Sequence, residues 1–315
     1  MTPGLRRRDV LGLTGALAGV LGGTESCAAR PEAACSVRPS FVLVHGAWHG
    51  AACWASVADR LRLAGHRVFA IDLPGHGLLA RYPASYFSAE QAGFETEVSP
   101  LSDVTLDVAA EAVITVLRQA QSSVKPILVG HSLGGAVITR AAELAPQCVG
   151  RLVYVAAFLP TDPQSPAALY ELPEARTPHE ANLTVGDAAG IGAVRFNPRG
   201  SIDYLRRLQA VFYQDIAVEQ FLPRAAAMSP DLPLGLWGGE PTPTAARWGR
   251  LGRTYIHCTL DCAIAPALQR LMVASADRLT PSNPTAVREM TSGHSPFASQ
   301  PERLSEILGE VAYPA

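Results

Sequence analysis

The sequence predicts an α/β fold, a mostly parallel central sheet flanked by helices and interrupted once by a long helical segment. Three observations carry this. Short apolar runs alternate with stretches of helical spacing from Ser40 to Ala156 and again from Thr254 to Val311. Between about Pro160 and Arg250 that rhythm gives way to Pro, Gly and amphipathic helical pieces. One strand–turn–helix junction, Ile127 to Gly135, holds a Gly-x-Ser-x-Gly spacing.

The elements follow in order. Ser40 to Val44 is an apolar run ending in His45-Gly46, the pattern of a buried strand entering a turn. Trp54 to Ala64 has helical spacing and Gly65 stops it. His66 to Ile71 is the next strand, closed by Asp72-Leu73-Pro74-Gly75. Thr105 to Gln121 reads as a long helix, Pro126 to Val129 as a strand, Leu133 to Leu144 as a helix and Leu152 to Ala156 as a strand. In the interrupting segment Ile202–Ala210 and Ile216–Met228 are amphipathic and no strong strand is predicted. The alternation resumes with a strand at Thr254–Thr259, a helix near Pro266–Ala276, a weak strand near Val287 and a helix at Pro301–Val311. Strands alternating with helices make βαβ units, and a helical interruption in them is a core plus a lid.

Composition narrows the function. The chain has 315 residues, 48% of them hydrophobic, and a formal charge of −2, which excludes a strongly basic nucleic-acid binder and a disordered or multi-span membrane protein. Lys125 is its single lysine. Arg6, Arg7 and Arg8 precede an apolar Gly/Ala-rich run to Gly23, too short to span a membrane. Residues 1–30 therefore read as an export signal of the twin-arginine type, cleaved near Ser26-Cys27-Ala28. A lipid anchor on Cys27 is the alternative, and the expected location is periplasmic or extracellular, with no transmembrane segment in the mature chain. Residues 31–160 and 251–315 make the core and 161–250 the lid. The six cysteines show no zinc spacing, and the sequence leaves a Cys258–Cys262 bridge open.

The chemistry concentrates at Gly130-His131-Ser132-Leu133-Gly134. Between a strand and a helix this spacing is a nucleophile elbow: a sharp turn projects the Ser132 hydroxyl, and side chains at 130 or 134 would collide with neighbouring elements. A serine hydroxyl needs a base, and the base needs an acid to orient it. Three histidines follow Ser132: His179 in the lid, His257 inside a predicted strand, and His294 in the loop Thr291-Ser292-Gly293-His294-Ser295-Pro296. His294 is placed as the base. Asp261, ending the strand at Thr254–Leu260, is the preferred acid over Asp162 and Asp277. The loop His45-Gly46-Ala47-Trp48 follows the first strand, so the Ala47 and Leu133 amides are the expected oxyanion donors. Trp48, His49, Phe212 and Tyr213 are candidates for the substrate pocket, with Phe221, Met228 and Trp237 as further lid residues that serve either the pocket or packing.

Taken together, Val44-His45-Gly46-Ala47-Trp48-His49-Gly50, Gly65-His66-Arg67-Val68, Gly130-His131-Ser132-Leu133-Gly134-Gly135, Cys258-Thr259-Leu260-Asp261 and Gly293-His294 resemble the α/β-hydrolase superfamily. They are most similar to its branch of plant methyl esterases and hydroxynitrile lyases. The resemblance implies an α/β-hydrolase fold with a helical lid inserted after the sixth core strand. It also implies Ser132, Asp261 and His294 as the triad, and no metal or organic cofactor. Pro266, a few residues beyond Asp261, matches the family's pattern after its acid. Lyases of this branch carry threonine where Ala47 stands and lysine where Ser295 stands, so the resemblance is to the esterases. The loop from about Arg81 to Leu101 is longer than in the plant relatives.

The expected activity is hydrolysis of a small to medium, largely apolar carboxylic ester or lactone through an acyl-enzyme on Ser132, with a small molecule as the partner. A lyase or eliminase using His294 as base is the alternative, and amide or thioester hydrolysis ranks lower.

Overall fold

The computed structural model describes residues 38–162, 164–177 and 183–313. The proposed export signal, Cys27 and His179 lie outside them. Four strands precede the insertion: β1 (Phe41–Val44), β2 (Val68–Ile71), β3 (Ile127–His131) and β4 (Arg151–Val155). The insertion contains β5 (Ala193–Arg195) and β6 (Asp231–Pro233), and β7 (Gly252–Cys258) and β8 (Ala286–Met290) follow it. The main sheet has the order β2-β1-β3-β4-β7-β8, with every neighbouring pair parallel.

Apolar runs become central strands because both faces of this sheet are covered. β1 is wholly buried, and each of its branched or aromatic side chains stabilises the fold by roughly 1.5–3 kcal/mol. Helices α1 (Ala55–Leu63), α2 (Leu106–Ala120) and α3 (Gly134–Leu144) connect the first strands. α2 starts where Thr105 accepts a hydrogen bond from the Val108 amide at 3.3 Å, and it buries the stripe Leu106, Ala110, Val113, Ile114 and Leu117.

The insertion carries α4 (Pro166–Tyr170), α5 (Ala188–Ile191), α6 (Ile202–Phe212), α7 (Val218–Ala226) and α8 (Leu234–Trp237). After it come α9 (Pro266–Leu279), α10 (Pro296–Ser299) and α11 (Pro301–Ala312). The structure corrects two details of the sequence reading. The insertion leaves the sheet after its fourth described strand in chain order, not a sixth, because β1 is the first described strand and two more strands follow the insertion. The insertion also contains strand structure: β5 and β6 pair antiparallel. At three residues each they are too short for a period to register, and a tertiary contact holds them. Arg195 donates two hydrogen bonds to Asp231, at 2.6 and 2.7 Å, and both side chains are fully buried. Arg195 also donates to the Glu97 carbonyl at 2.8 Å, which fastens the Arg81–Leu101 loop to this ribbon.

Register determines where chemistry can occur. Val44 lies opposite both Ile71 and Gly130, and Val155 opposite both His131 and Ile256. The strands therefore end together, and the loops after β1, β3, β7 and β8 gather at one carboxyl edge.

Candidate active site

Ser132 follows β3 with φ of +51°, in the left-handed region that costs a non-glycine residue strain. The turn is tight enough that a Cβ on Gly130 would lie 2.7 Å from the Gly134 carbonyl oxygen. A Cβ on Gly46 would lie 2.7 Å from Ser132 Cβ, so the loop after β1 packs directly against the elbow. Leu133 starts the turn into α3. Among the described residues neither the Ala47 nor the Leu133 amide has a hydrogen-bond partner, which leaves two N–H groups next to Ser132 available to an incoming oxygen.

His294 is buried in the loop after β8, and its Nδ1 lies 2.9 Å from Asp261 Oδ2. With Nδ1 donating, Nε2 of the neutral ring keeps its lone pair. Asp261 ends the β7 loop and is also buried. Its Oδ1 accepts from the Ala263 and Ile264 amides at 2.8 and 2.9 Å, and its Oδ2 accepts from Gln269 at 3.0 Å. The rival carboxylates lie elsewhere. Asp277 accepts from the Thr285 amide at 2.8 Å, and Asp162 meets Ser275 through its backbone carbonyl. His257 lies within β7.

Gln269 and His131 are parts of this site to which the sequence reading gave no role. Gln269, on α9, accepts from the Cys258 amide at 3.1 Å while donating to Asp261, which fixes the end of β7 to its acid. His131 donates from Nε2 to the His294 carbonyl at 2.9 Å. Burial, then the neighbouring His294, pushes the His131 pKa well down, so its ring is neutral with one proton to give. The available signal was a polar residue between a glycine and the serine, at a position certain to be buried.

A cavity of about 330 Å³ opens beside Ser132, lined by Ala47, Trp48, Leu133, Phe158, Phe212 and Trp237 among others. Trp48 stacks on Phe196 at 3.9 Å between centroids and donates to the Val194 carbonyl at 3.1 Å, which joins the wall to β5. Of the four pocket candidates, Trp48 and Phe212 line this cavity. His49 and Tyr213 do not: each follows a lining residue, points the other way, and borders a second cavity of about 690 Å³. Their contact is mutual, His49 Nε2 to Tyr213 Oη at 2.6 Å, while His49 Nδ1 donates to the Ala47 carbonyl at 2.7 Å. Burial lowers the His49 pKa to about 4. Phe221 packs on Tyr213, and Met228 borders the second cavity.

Cys258 and Cys262 are free thiols. Among the described residues no cluster of three or more His, Cys, Asp or Glu side chains is placed to hold a metal ion, and no helix is long and apolar enough to cross a membrane.

A model described as "Alpha/beta hydrolase family" matches residues 41–307. Methyl jasmonate esterase 1 of Vitis vinifera is 31% identical over 278 residues, covering 86% of this chain and 95% of its own length. The pyrethroid hydrolase of Sphingobium wenxiniae is 30% identical over 276 residues, covering 86% and 87%. A crystal structure of a pyrethroid hydrolase from Sphingobium faniae superposes with a TM-score of 0.68 at 29% identity, over 88% of this chain and 98% of that one.

Proposed function

The chain belongs to the α/β-hydrolase family and is a carboxylic ester hydrolase, and from that premise we propose that it works through an acyl-enzyme on Ser132. Ser132 attacks the ester carbonyl as His294 Nε2 takes its proton. Asp261 accepts from His294 Nδ1 and stabilises the imidazolium that forms. The Ala47 and Leu133 amides hold the oxyanion. His294 returns the proton to the departing alcohol, then activates the water that releases the acid and frees Ser132.

One observation carries this reading: Ser132 stands strained at a cavity wall shared with Ala47 and Leu133, whose amides have no partner, and its neighbour His131 donates to the carbonyl of His294, whose ring a buried aspartate orients. The cavity is near the small end of the usual ligand-site range, and its lining is largely apolar. We read the substrate as a small to medium apolar ester or lactone and the inserted segment as the lid that covers it. The names of the relatives, esterases of methyl jasmonate and of pyrethroids, are compatible with a compact apolar acyl group.

The test is turnover of p-nitrophenyl esters from C2 to C12, with Ser132→Ala in parallel and one series run in ¹⁸O-labelled water. Turnover lost in Ser132→Ala, with label in the product acid, supports the reading. A folded enzyme inert on every ester sinks it in favour of elimination with His294 as base.

We also propose that residues 1–30 direct export by the twin-arginine route, on the strength of Arg6-Arg7-Arg8 and the apolar run behind them.

A further inference from the structure

The turn that ends α6 touches three loops of the reactive centre, those after β1, β7 and β8. Four consecutive residues, Phe212 to Asp215, make four different contacts. Phe212 lines the cavity, with its ring 5.6 Å from that of His294. Tyr213 gives its hydroxyl proton to His49 Nε2 at 2.6 Å, and His49 in turn holds the Ala47 carbonyl at 2.7 Å. Because His49 Nδ1 is the donor to Ala47, Nε2 can only accept, so this relay runs one way. Gln214 donates from Nε2 to the Leu260 carbonyl at 2.6 Å, the residue before Asp261. Its side-chain amide also fills the space over Gly293, where a Cβ would come within 2.6 Å of it. Asp215 Oδ2 accepts from the Gly293 amide at 2.8 Å and from the Ser292 hydroxyl at 3.0 Å, the two residues before His294.

We propose that Tyr213, Gln214 and Asp215 are positioning residues through which the insertion assembles the reactive centre. Tyr213 sets the oxyanion loop through His49, Gln214 sets the loop bearing Asp261, and Asp215 sets the loop bearing His294. The inference rests on the acyl-enzyme reading above and adds to it. The core strands bring the loops to one edge, and a single turn of the insertion fixes their relative positions. The chemistry explains the residue types: a carbonyl is gripped by an amide donor, while an N–H and a hydroxyl are gripped by one acceptor oxygen. Small displacements matter, since misplacing a reacting group by about 1 Å can cost about 10²-fold in rate.

The experiment measures kcat and KM on the best p-nitrophenyl ester for Tyr213→Phe, Asp215→Ala, Asp215→Asn and the pair Tyr213→Phe/Asp215→Ala. Rates are normalised to sites titrated with a fluorophosphonate, so only folded, competent enzyme is counted. Asp215 is exposed on its outer side, so its replacement does not open the core. The expected result is a fall in kcat of about tenfold or more for Asp215→Ala and for Tyr213→Phe, with KM within about twofold. Asp215→Asn recovers most of that loss, because its amide oxygen still accepts from Gly293 and Ser292. The double variant departs from the product of the singles, as for residues acting on one assembly. Wild-type kcat in both single variants, a loss confined to KM, or an Asn variant no better than Ala overturns the proposal. Turnover that survives Ser132→Ala overturns the acyl-enzyme reading and this proposal with it. A dead Ser132→Ala beside fully active Tyr213 and Asp215 variants overturns this proposal alone.

Discussion

The Nε2–H of His131 donates to the backbone carbonyl of His294 across 2.9 Å. The residue that precedes the serine thus anchors the loop that bears the histidine through a side chain on one side and a backbone carbonyl on the other. His131→Leu fills a similar buried volume but leaves the His294 carbonyl without its donor. The expected cost is about 1–3 kcal/mol of stability, with kcat reduced between about tenfold and 10²-fold as His294 loses its seat. Urea unfolding and steady-state kinetics on the same sample check both; an unchanged kcat would show that the contact serves folding alone.

Asp261 is distinguished from its rivals by what faces it. Asp261→Asn is expected to lower kcat by about 10⁴-fold, because the amide stabilises the wrong tautomer of His294. Asp162→Asn and Asp277→Asn are expected to keep wild-type kcat, since neither carboxylate faces the histidine. A large loss in either of those two, with Asp261→Asn active, would reassign the acid.

Four buried histidines are expected to weaken the fold in acid. Burial lowers the pKa of His45, His49, His76 and His131, that of His49 from 6.5 to about 4. Below about 6.5 the unfolded chain binds protons on these imidazoles and the folded chain does not. Their stabilising contribution is therefore complete above that pH and is lost as pH falls, through about 4 for His49. Each histidine neutral only in the fold contributes a slope of up to about 1.4 kcal/mol per pH unit. The urea midpoint is expected to drop steadily from pH 7 to pH 5, and a flat profile over that range would contradict the burial argument.

The Arg195–Asp231 pair is a point of large local dependence. Asp231→Ala leaves a guanidinium buried without its carboxylate, with an expected cost of about 3–5 kcal/mol. Replacing both residues by apolar side chains of similar volume is expected to recover most of that loss. Chemical denaturation of the single and double variants decides it; equal destabilisation in both would mean that the pair contributes shape and not charge.

Changing Arg6, Arg7 and Arg8 to lysine keeps the charge of the proposed leader but removes the paired arginines. Cell fractionation is expected to show the precursor held in the cytoplasm. Unchanged export of the lysine variant would exclude the twin-arginine route, and a membrane-bound product labelled by lipid would point to Cys27.

The sheet, the elbow and the candidate machinery were legible in the chain before folding, because each has a local cause. A wholly buried strand must be an unbroken apolar run, as Phe41–Val44 is. The Gly130-x-Ser132-x-Gly134 spacing records a turn that has no room for side chains. His294 stood out because it lies in the loop between the last strand and the last helices. The features that were not legible depend on contacts between residues far apart in the chain. Gln269 beside Asp261, Asp215 beneath Gly293 and Arg195 against Asp231 leave no period and no motif, since each is a single polar side chain whose meaning is its partner. The same holds for the pocket wall. Trp48 and Phe212 face the cavity while His49 and Tyr213, one residue on, face away from it. Composition gives all four the same aromatic or polar-aromatic character, and only the backbone direction at each turn separates the surface a substrate would meet from the support behind it.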